Sequence, residues 1–362
     1  MHVLILAPAP PPRGVLRSLT SLGVAPVVAR AGGDTETDGL VQFVRVAARG
    51  NPADPMDLRW SRRALRATVR DVGPKLIHVV GDPVTPTAEA GAAAARDLKI
   101  PYVLVGTASI GAPKGLTARW QADRVRNGAS ALAGTVRSAL DHLAGHLSDK
   151  PTAVLPPGGL DIPPAFEPRP DPSPVILAVT GRLVPERGLD LLLDALASTY
   201  GDWRLRIVGT GPSQVALEAQ SQRLGLASRI EWLGALPRAD LPALWREVDV
   251  VVAPSRTTPS WVEPSGNVVL QAMARGVAPL VSRCGALPDV VGDSGIIIDE
   301  GDRDALTKAL QAFVAEPWRC RAAGLAARQR VLERYGDGAV AERMVKLWQR
   351  VLSSRPAAVQ TP

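Results

Sequence analysis

Two doubly wound α/β domains facing each other across a cleft are the fold class that this sequence predicts, on three observations. Short, continuously apolar segments alternate with segments of helical apolar spacing along most of the chain. Strands apolar on both faces belong to parallel sheets covered by helices on either side. The length of 362 residues suits two domains of ordinary size. Between two such alternating halves lies a proline-rich stretch, with Pro163, Pro164, Pro168, Pro170, Pro172 and Pro174.

In the first half, strands are expected at residues 3–7, 25–29, 43–46, 76–80 and 101–105, with helices at 13–22, 57–72 and 87–98. The second half alternates more cleanly. A strand at 175–180 stops at Gly181, and a helix follows at 189–196. A strand at 205–208 ends in Gly209-Thr210-Gly211-Pro212 and leads into a helix reaching Leu224. A strand at 230–233, a helix at 239–248 and a strand at 250–253 come next, the last closed by Pro254-Ser255. A helix at 266–275 has Gly276 in the position that terminates helices. Strands at 277–282 and 296–299 complete the pattern, and the tail reads as two helices broken near Gly336-Asp337-Gly338. These signals predict an N-terminal Rossmann-like domain over 1–165 and a C-terminal Rossmann-like domain over 175–335. A last helix, 336–353, packs back on the first domain.

Aromatics are only 4% of the chain, so the cores must be built from Leu, Val, Ile and Ala. No apolar run approaches the roughly 20 residues that a membrane span needs. The N-terminus lacks a basic region and reads as a first buried strand, not a leader. Cys284 and Cys320 give neither a disulfide framework nor metal-ligand spacing, so reduced thiols in a cytoplasmic protein are expected. A net charge of +7 suits an anionic partner, although a biased base composition of the genome gives the same arginine excess. Nucleic acid is not expected, because no aromatic stacking motif accompanies the charge.

The strongest chemical pattern lies in the second half. Gly181-Arg182-Leu183 directly follows a strand, and Glu186-Arg187-Gly188 opens the next helix. Ligands of open α/β sheets bind at strand carboxyl ends, where two guanidinium forks match a diphosphate. The bland alternative is a pair of solvated loop arginines. Glu263 precedes a helix start at Gly266-Asn267-Val268, whose free N–H groups suit phosphate. Glu263 is equally compatible with a helix-capping role. Gln271 follows in the second helical turn.

These segments, with Gln271-Ala272-Met273-Ala274-Arg275-Gly276-Val277 and Cys284-Gly285-Ala286-Leu287-Pro288-Asp289-Val290-Val291, resemble the donor domain of family-4 retaining glycosyltransferases. The resemblance covers roughly residues 175–350 and implies the GT-B fold. It implies catalytic roles for Glu263, Arg182 and Arg187, and donor binding by Gly181, Gly266, Asn267, Val268 and Gln271. The family's phosphate-binding arginine falls on Arg182 and its lysine on Arg187. The E-x7-E motif falls on Glu263, for the sugar hydroxyls, and on Gln271, for the ribose. Gly14, in the Pro8–Pro12 loop region, is the acceptor-side candidate.

Three departures are visible. Gln271 replaces a carboxylate, and a neutral acceptor is weaker than a charged one. The loop after the first strand has one glycine, Gly14, and four prolines. The acceptor-side histidine is absent from Gly106-Thr107-Ala108-Ser109, and the four histidines are His2, His78, His142 and His146.

The resemblance implies transfer of a hexose from a GDP- or UDP-linked donor to an acceptor hydroxyl with retention. Glycolipid or polysaccharide synthesis for the cell envelope is the implied setting. No cofactor and no metal are expected. Asp302-Arg303-Asp304 lies at a helix start, where acids are favoured anyway. The partners are the nucleotide sugar and a glycan or lipid-linked acceptor. The basic stripe Arg59, Arg63, Arg66 and Arg70 suits either a solvated helix face or contact with a phosphorylated acceptor or with anionic membrane at the inner leaflet. Two alternatives remain open: a degenerate nucleotide- or sugar-binding scaffold, and another GT-B enzyme such as an inverting transferase or an epimerase.

Overall fold

The computed structural model describes residues 1–107, 115–145, 149–164, 170–237, 239–259 and 261–354. Ala108, Ser109, His146 and Pro168, singled out above, lie outside the described residues. The chain divides into two compact units, Met1–Gly159 with Tyr335–Pro362, and Leu160–Arg334. The proline-rich stretch thus opens the second unit, and the chain's last helix returns to the first.

The first unit runs β1 (His2–Leu6), α1 (Arg13–Ser21), β2 (Ala25–Arg30), β3 (Glu36–Asp38), β4 (Val41–Arg45), β5 (Ala48–Arg49) and β6 (Arg59–Trp60). It continues through α2 (Arg62–Val72), β7 (Leu76–Val80), α3 (Pro86–Asp97), β8 (Tyr102–Gly106), α4 (Leu116–Gly128), β9 (Ala131–Gly134), α5 (Arg137–Ala144) and β10 (Thr152–Val154). Its main sheet has the order β10-β9-β8-β7-β1-β2-β4-β3, parallel except for β3. Val3 and Ile5 face α1, and Leu4 and Leu6 face the layer of α2, α3, α4 and α5, so both sides of the sheet are covered.

The second unit runs β11 (Val175–Thr180), α6 (Leu189–Ala197), β12 (Trp203–Val208), α7 (Gln214–Arg223), β13 (Ile230–Gly234), α8 (Leu241–Trp245) and β14 (Val250–Ala253). Then come α9 (Asn267–Met273), β15 (Ala278–Ser282), α10 (Leu287–Val291), β16 (Ile296–Ile298), α11 (Arg303–Ala315) and α12 (Trp318–Tyr335). All six strands are parallel, in the order β13-β12-β11-β14-β15-β16. Trp203 and Trp245, both buried, add bulk to a core otherwise made mainly of Leu, Val and Ile.

Helix α13 (Asp337–Ser353) packs with α1 on the first unit. Its Trp348 is buried and donates its indole N–H to Nδ1 of His78, on β7, at 3.2 Å. His78 is therefore neutral with its proton on Nε2, and burial pushes its pKa down to about 4.

Three expected helices shift, and the one at 239–248 shortens to α8, Leu241–Trp245. The helix expected over 57–72 begins only at Arg62, because the Ser61 hydroxyl caps it by accepting from Ala64 N–H. Arg59 instead lies in β6, paired with β5, so it leaves the basic stripe. In α2, Arg62 pairs with Glu89 and Arg66 with Asp97, both on α3. The helix expected at 266–275 contracts to α9, since Gly266 takes a left-handed backbone (φ 61). The elements α4, β9, α5 and β10 were not legible beforehand; β9 reads Ala-Leu-Ala-Gly, without a β-branched residue.

Gly14 sits inside α1. A Cβ there would lie 1.8 Å from Oδ2 of Asp337, whose Oδ1 accepts the Gly159 N–H at 2.7 Å. The missing side chain thus lets α1 meet the start of α13. Gly14→Ala is expected to lower unfolding free energy by about 1–3 kcal/mol, through loss of that hydrogen bond or local strain. A urea unfolding curve coincident with wild type would show that Asp337 moves aside freely.

Candidate active site

Growth of the second sheet reverses between β11 and β14. Crevices outside strand carboxyl ends at such a reversal are where open α/β sheets bind ligands. A cavity of about 180 Å³ lies there, lined by Thr180, Arg187, Ala253 and the run 263–269.

The turn Pro185–Arg187 places Arg187 at its rim. The next residue, Gly188, is left-handed (φ 68), and a Cβ on it would lie 2.0 Å from the carbonyl oxygen of Pro254. Only glycine lets the turn rest on the end of β14. Arg256 clamps the same turn. Its backbone N–H donates to Glu186 O at 2.7 Å, and Nη2 donates to Pro185 O at 2.8 Å and Asp190 Oδ1 at 2.7 Å.

Arg187 Nη1 donates to Glu263 Oε2, and its guanidinium lies 4.9 Å from the centroid of the Trp261 ring. Glu263 is only 7% exposed, which makes that partner necessary, because an unpaired buried carboxylate is costly. Its other oxygen, Oε1, accepts the Gly266 N–H at 3.2 Å. The arginine, the carboxylate and the start of α9 therefore form one linked unit.

Three buried oxygens beside this unit have no partner among the described residues: Thr180 Oγ1, Glu186 Oε2 and Ser255 Oγ. Thr180 ends β11, Glu186 sits in the turn after it, and Ser255 follows β14. Of the three residues only Thr180 lines the cavity, and because buried polar atoms are nearly always satisfied, its free hydroxyl suits a polar ligand there.

Arg187, Glu263, Gly266, Asn267 and Val268 are thus brought together around the cavity, with Gly181 beside Arg187. Arg182 is exposed, has no side-chain partner among the described residues and lies outside the lining. The expected pincer is therefore not formed in this structure: Arg187 is committed to Glu263. Gln271 is half-buried and also outside the lining. Its backbone carbonyl accepts from Arg275 Nη1 at 3.3 Å, and Arg275 is paired in turn with Asp161. Ser255 belongs to the Pro254-Ser255 motif that closes β14, whereas Thr180, Trp261 and Arg256 carry no signal in the sequence. Each of those three matters through residues distant in sequence.

The first sheet reverses between β1 and β7, and an apolar cavity of about 400 Å³ lies there. Pro8–Pro12, His78, Asp82, Thr107 and Met344 are among its lining residues. Asp82, 7% exposed, accepts Thr107 N–H at 2.8 Å on Oδ1 and Thr107 Oγ1 at 2.9 Å on Oδ2. Val15, not Gly14, reaches the cavity from α1.

Other motifs resolve locally. Asp302 caps α11 by accepting from Ala305 N–H at 2.8 Å. Cys284 and Cys320 are buried thiols outside any disulfide. Burial pushes the Cys284 thiol pKa up. Among the described residues, no helix is long and apolar enough to cross a membrane.

Residues 164–330 match the family model of glycosyl transferases group 1. Similar solved structures include sucrose-phosphate synthase from Thermosynechococcus elongatus (TM-score 0.64, 19% identity, 98% of this chain and 99% of that one). Another is Anabaena HepE in complex with UDP (TM-score 0.66, 19% identity, 96% and 99%). The chain has the GT-B fold, and most of its second unit is similar to the group 1 glycosyl transferases. Among curated relatives, a GDP-mannose-dependent alpha-(1-6)-phosphatidylinositol monomannoside mannosyltransferase of Mycolicibacterium smegmatis is 36% identical over 169 residues, 45% of this chain and 44% of the relative. A D-inositol 3-phosphate glycosyltransferase of Segniliparus rotundus is 33% identical over 165 residues, 43% and 36% respectively. The matched part is less than half the length of either relative.

Proposed function

We propose that this GT-B protein transfers a hexose, with retention of anomeric configuration, from a GDP- or UDP-linked donor to an acceptor hydroxyl in glycolipid or polysaccharide synthesis. The observation that carries the reading is the linked Arg187, Glu263 and Gly266 unit, with the unpartnered Thr180 hydroxyl in the same cavity lining, in the unit that matches group 1. The diphosphate departs toward Arg187, the exposed Arg182 and the start of α9, which stabilise its developing charge. Glu263 orients Arg187 and retains lone pairs for sugar hydroxyls. The departing phosphate accepts the acceptor's proton, and the bond to the acceptor oxygen forms on the same face. The phosphatidylinositol monomannoside mannosyltransferase named above supports a lipid-linked acceptor, and the D-inositol 3-phosphate glycosyltransferase supports a phosphorylated, non-lipid one; the first reading includes a cytoplasmic site with peripheral membrane contact.

Calorimetry with GDP and UDP, followed by donor hydrolysis and identification of the product anomer, tests this reading. Absence of binding to any nucleoside diphosphate sinks it, and an inverted product overturns retention. Arg182→Ala and Arg187→Ala are each expected to weaken diphosphate binding by about 1.5–3 kcal/mol. Unchanged affinity in both would remove the phosphate assignment.

Turnover is expected without divalent metal, because the arginines and the helix start already supply positive charge to the leaving group. Activity abolished by chelator and restored by Mg²⁺ or Mn²⁺ would contradict this.

A further inference from the structure

Helix α4 carries two large apolar side chains that the fold leaves in solvent. Leu116 is 84% exposed and Trp120 is 62% exposed, while Ala122 and Val125 bury the opposite face. Residues 116, 120 and 124 are spaced four apart, so Leu116, Trp120 and Arg124 form one outward stripe. The Arg124 guanidinium lies over the Trp120 ring, 5.4 Å from its centroid.

The stripe leads into a cavity that neither sheet reversal uses. It is about 340 Å³, and its lining includes Arg96, Lys99, Tyr102 and Arg124 but no carboxylate. The nearby acids are already engaged: Asp97 by Arg66, and Asp123 by Arg126. Lys99 has a left-handed backbone (φ 57), the conformation at the end of a helix where glycine is the usual residue. A lysine there carries a backbone cost that glycine would not, while placing a third cation on the cavity. The cavity lies by the start of β8 and the end of α4, at the amino end of the strands.

We propose that this corner of the first unit is an interfacial site for anionic phospholipid. Leu116 and Trp120 enter the boundary between headgroups and acyl chains, where an indole is favoured. Arg96, Lys99 and Arg124 take the phosphate of a headgroup. The pairing of apolar anchors with a carboxylate-free basic cavity favours a lipid surface over a soluble anion, which needs no anchors. It also moves the membrane contact away from α2, two of whose arginines are bound to α3. The proposal does not depend on glycosyl transfer, because its test reads binding alone.

The test is co-sedimentation of the full chain with phosphatidylcholine vesicles, with and without about one third phosphatidylglycerol. Wild type is expected to bind the anionic vesicles at least ~10-fold more strongly, with binding weakened by salt. Leu116→Ser with Trp120→Ser is expected to lower that affinity about 10-fold or more, with an unchanged melting temperature and unchanged nucleotide binding. Arg96→Gln with Arg124→Gln is expected to reduce the salt dependence as well as the affinity. Vesicle binding equal to wild type in both double variants overturns the proposal. So does loss of binding on replacing Arg63 and Arg70 of α2 alone. A wild-type dimer that Trp120→Ser converts to monomer would make the stripe a self-association surface and overturn it as well.

Discussion

Glu263→Gln is expected to lower turnover by about 10²-fold or more, equivalent to about 2.7 kcal/mol in the barrier. The carboxylate serves two donors at once, Arg187 Nη1 on one oxygen and the Gly266 N–H on the other. An amide has one oxygen, so its NH₂ group must face one of those donors. Either arrangement loosens Arg187 or the start of α9, the groups assigned to the departing diphosphate. The substitution also removes the negative charge available to positive character developing on the sugar ring. Gln271→Ala is the contrast. Gln271 lies outside the cavity lining, so its loss should mainly raise the donor's KM. Gln271→Glu restores a charged acceptor and is expected to lower that KM. Steady-state kinetics on the three variants separate the roles. Near-normal turnover in Glu263→Gln, with a lowered melting temperature, would leave Glu263 a structural residue only.

Acidification between about pH 6.5 and 4 is expected to remove about 3 kcal/mol of stability through His78 alone. The sign follows from the direction of the shift. Burial lowers the folded-state pKa to about 4 from an ordinary value of 6.5, so the unfolded chain takes up the proton first. The contribution is complete above pH 6.5, falls as the pH drops toward 4, and is constant below that. Protonation at Nδ1 would also break the hydrogen bond from Trp348, the link between β7 and α13. Carboxylates titrate in part of this window, so the measurement is a difference. Urea unfolding of wild type and His78→Asn is compared at pH 7, 5 and 4. The asparagine carbonyl can accept from the indole and does not titrate. A constant difference between the two proteins across the window would exclude His78 as the acid-sensitive group.

Much of the second unit was legible from local pattern. Its strands are short runs apolar on both faces, and its helices start or stop at glycines and prolines, which report backbone geometry without knowledge of distant partners. Arg187, Glu263 and Gly266 were legible for the same reason: all sit at turns that follow strands. The first unit was read less completely. Strand β9 is made of Ala, Leu and Gly, and apolar spacing alone overextends α2 past its cap at Ser61.

The sequence by itself determined that this chain would alternate strands and helices in two units, and that the second would offer arginines and a carboxylate at strand ends. Periodicity fixes which side chains turn inward, and turn residues fix where each strand stops. Only the tertiary structure decided which inward or rim-facing groups meet. Arg187 and Glu263 are 76 residues apart in sequence, and His78 and Trp348 are 270 apart. Their pairing depends on strand order and on the return of α13 to the first unit, and no local propensity encodes either. Burial then makes those meetings matter. Withdrawn from water, Glu263 must have Arg187, and His78 must stay neutral, so the partners that the fold supplies set the charge at each site.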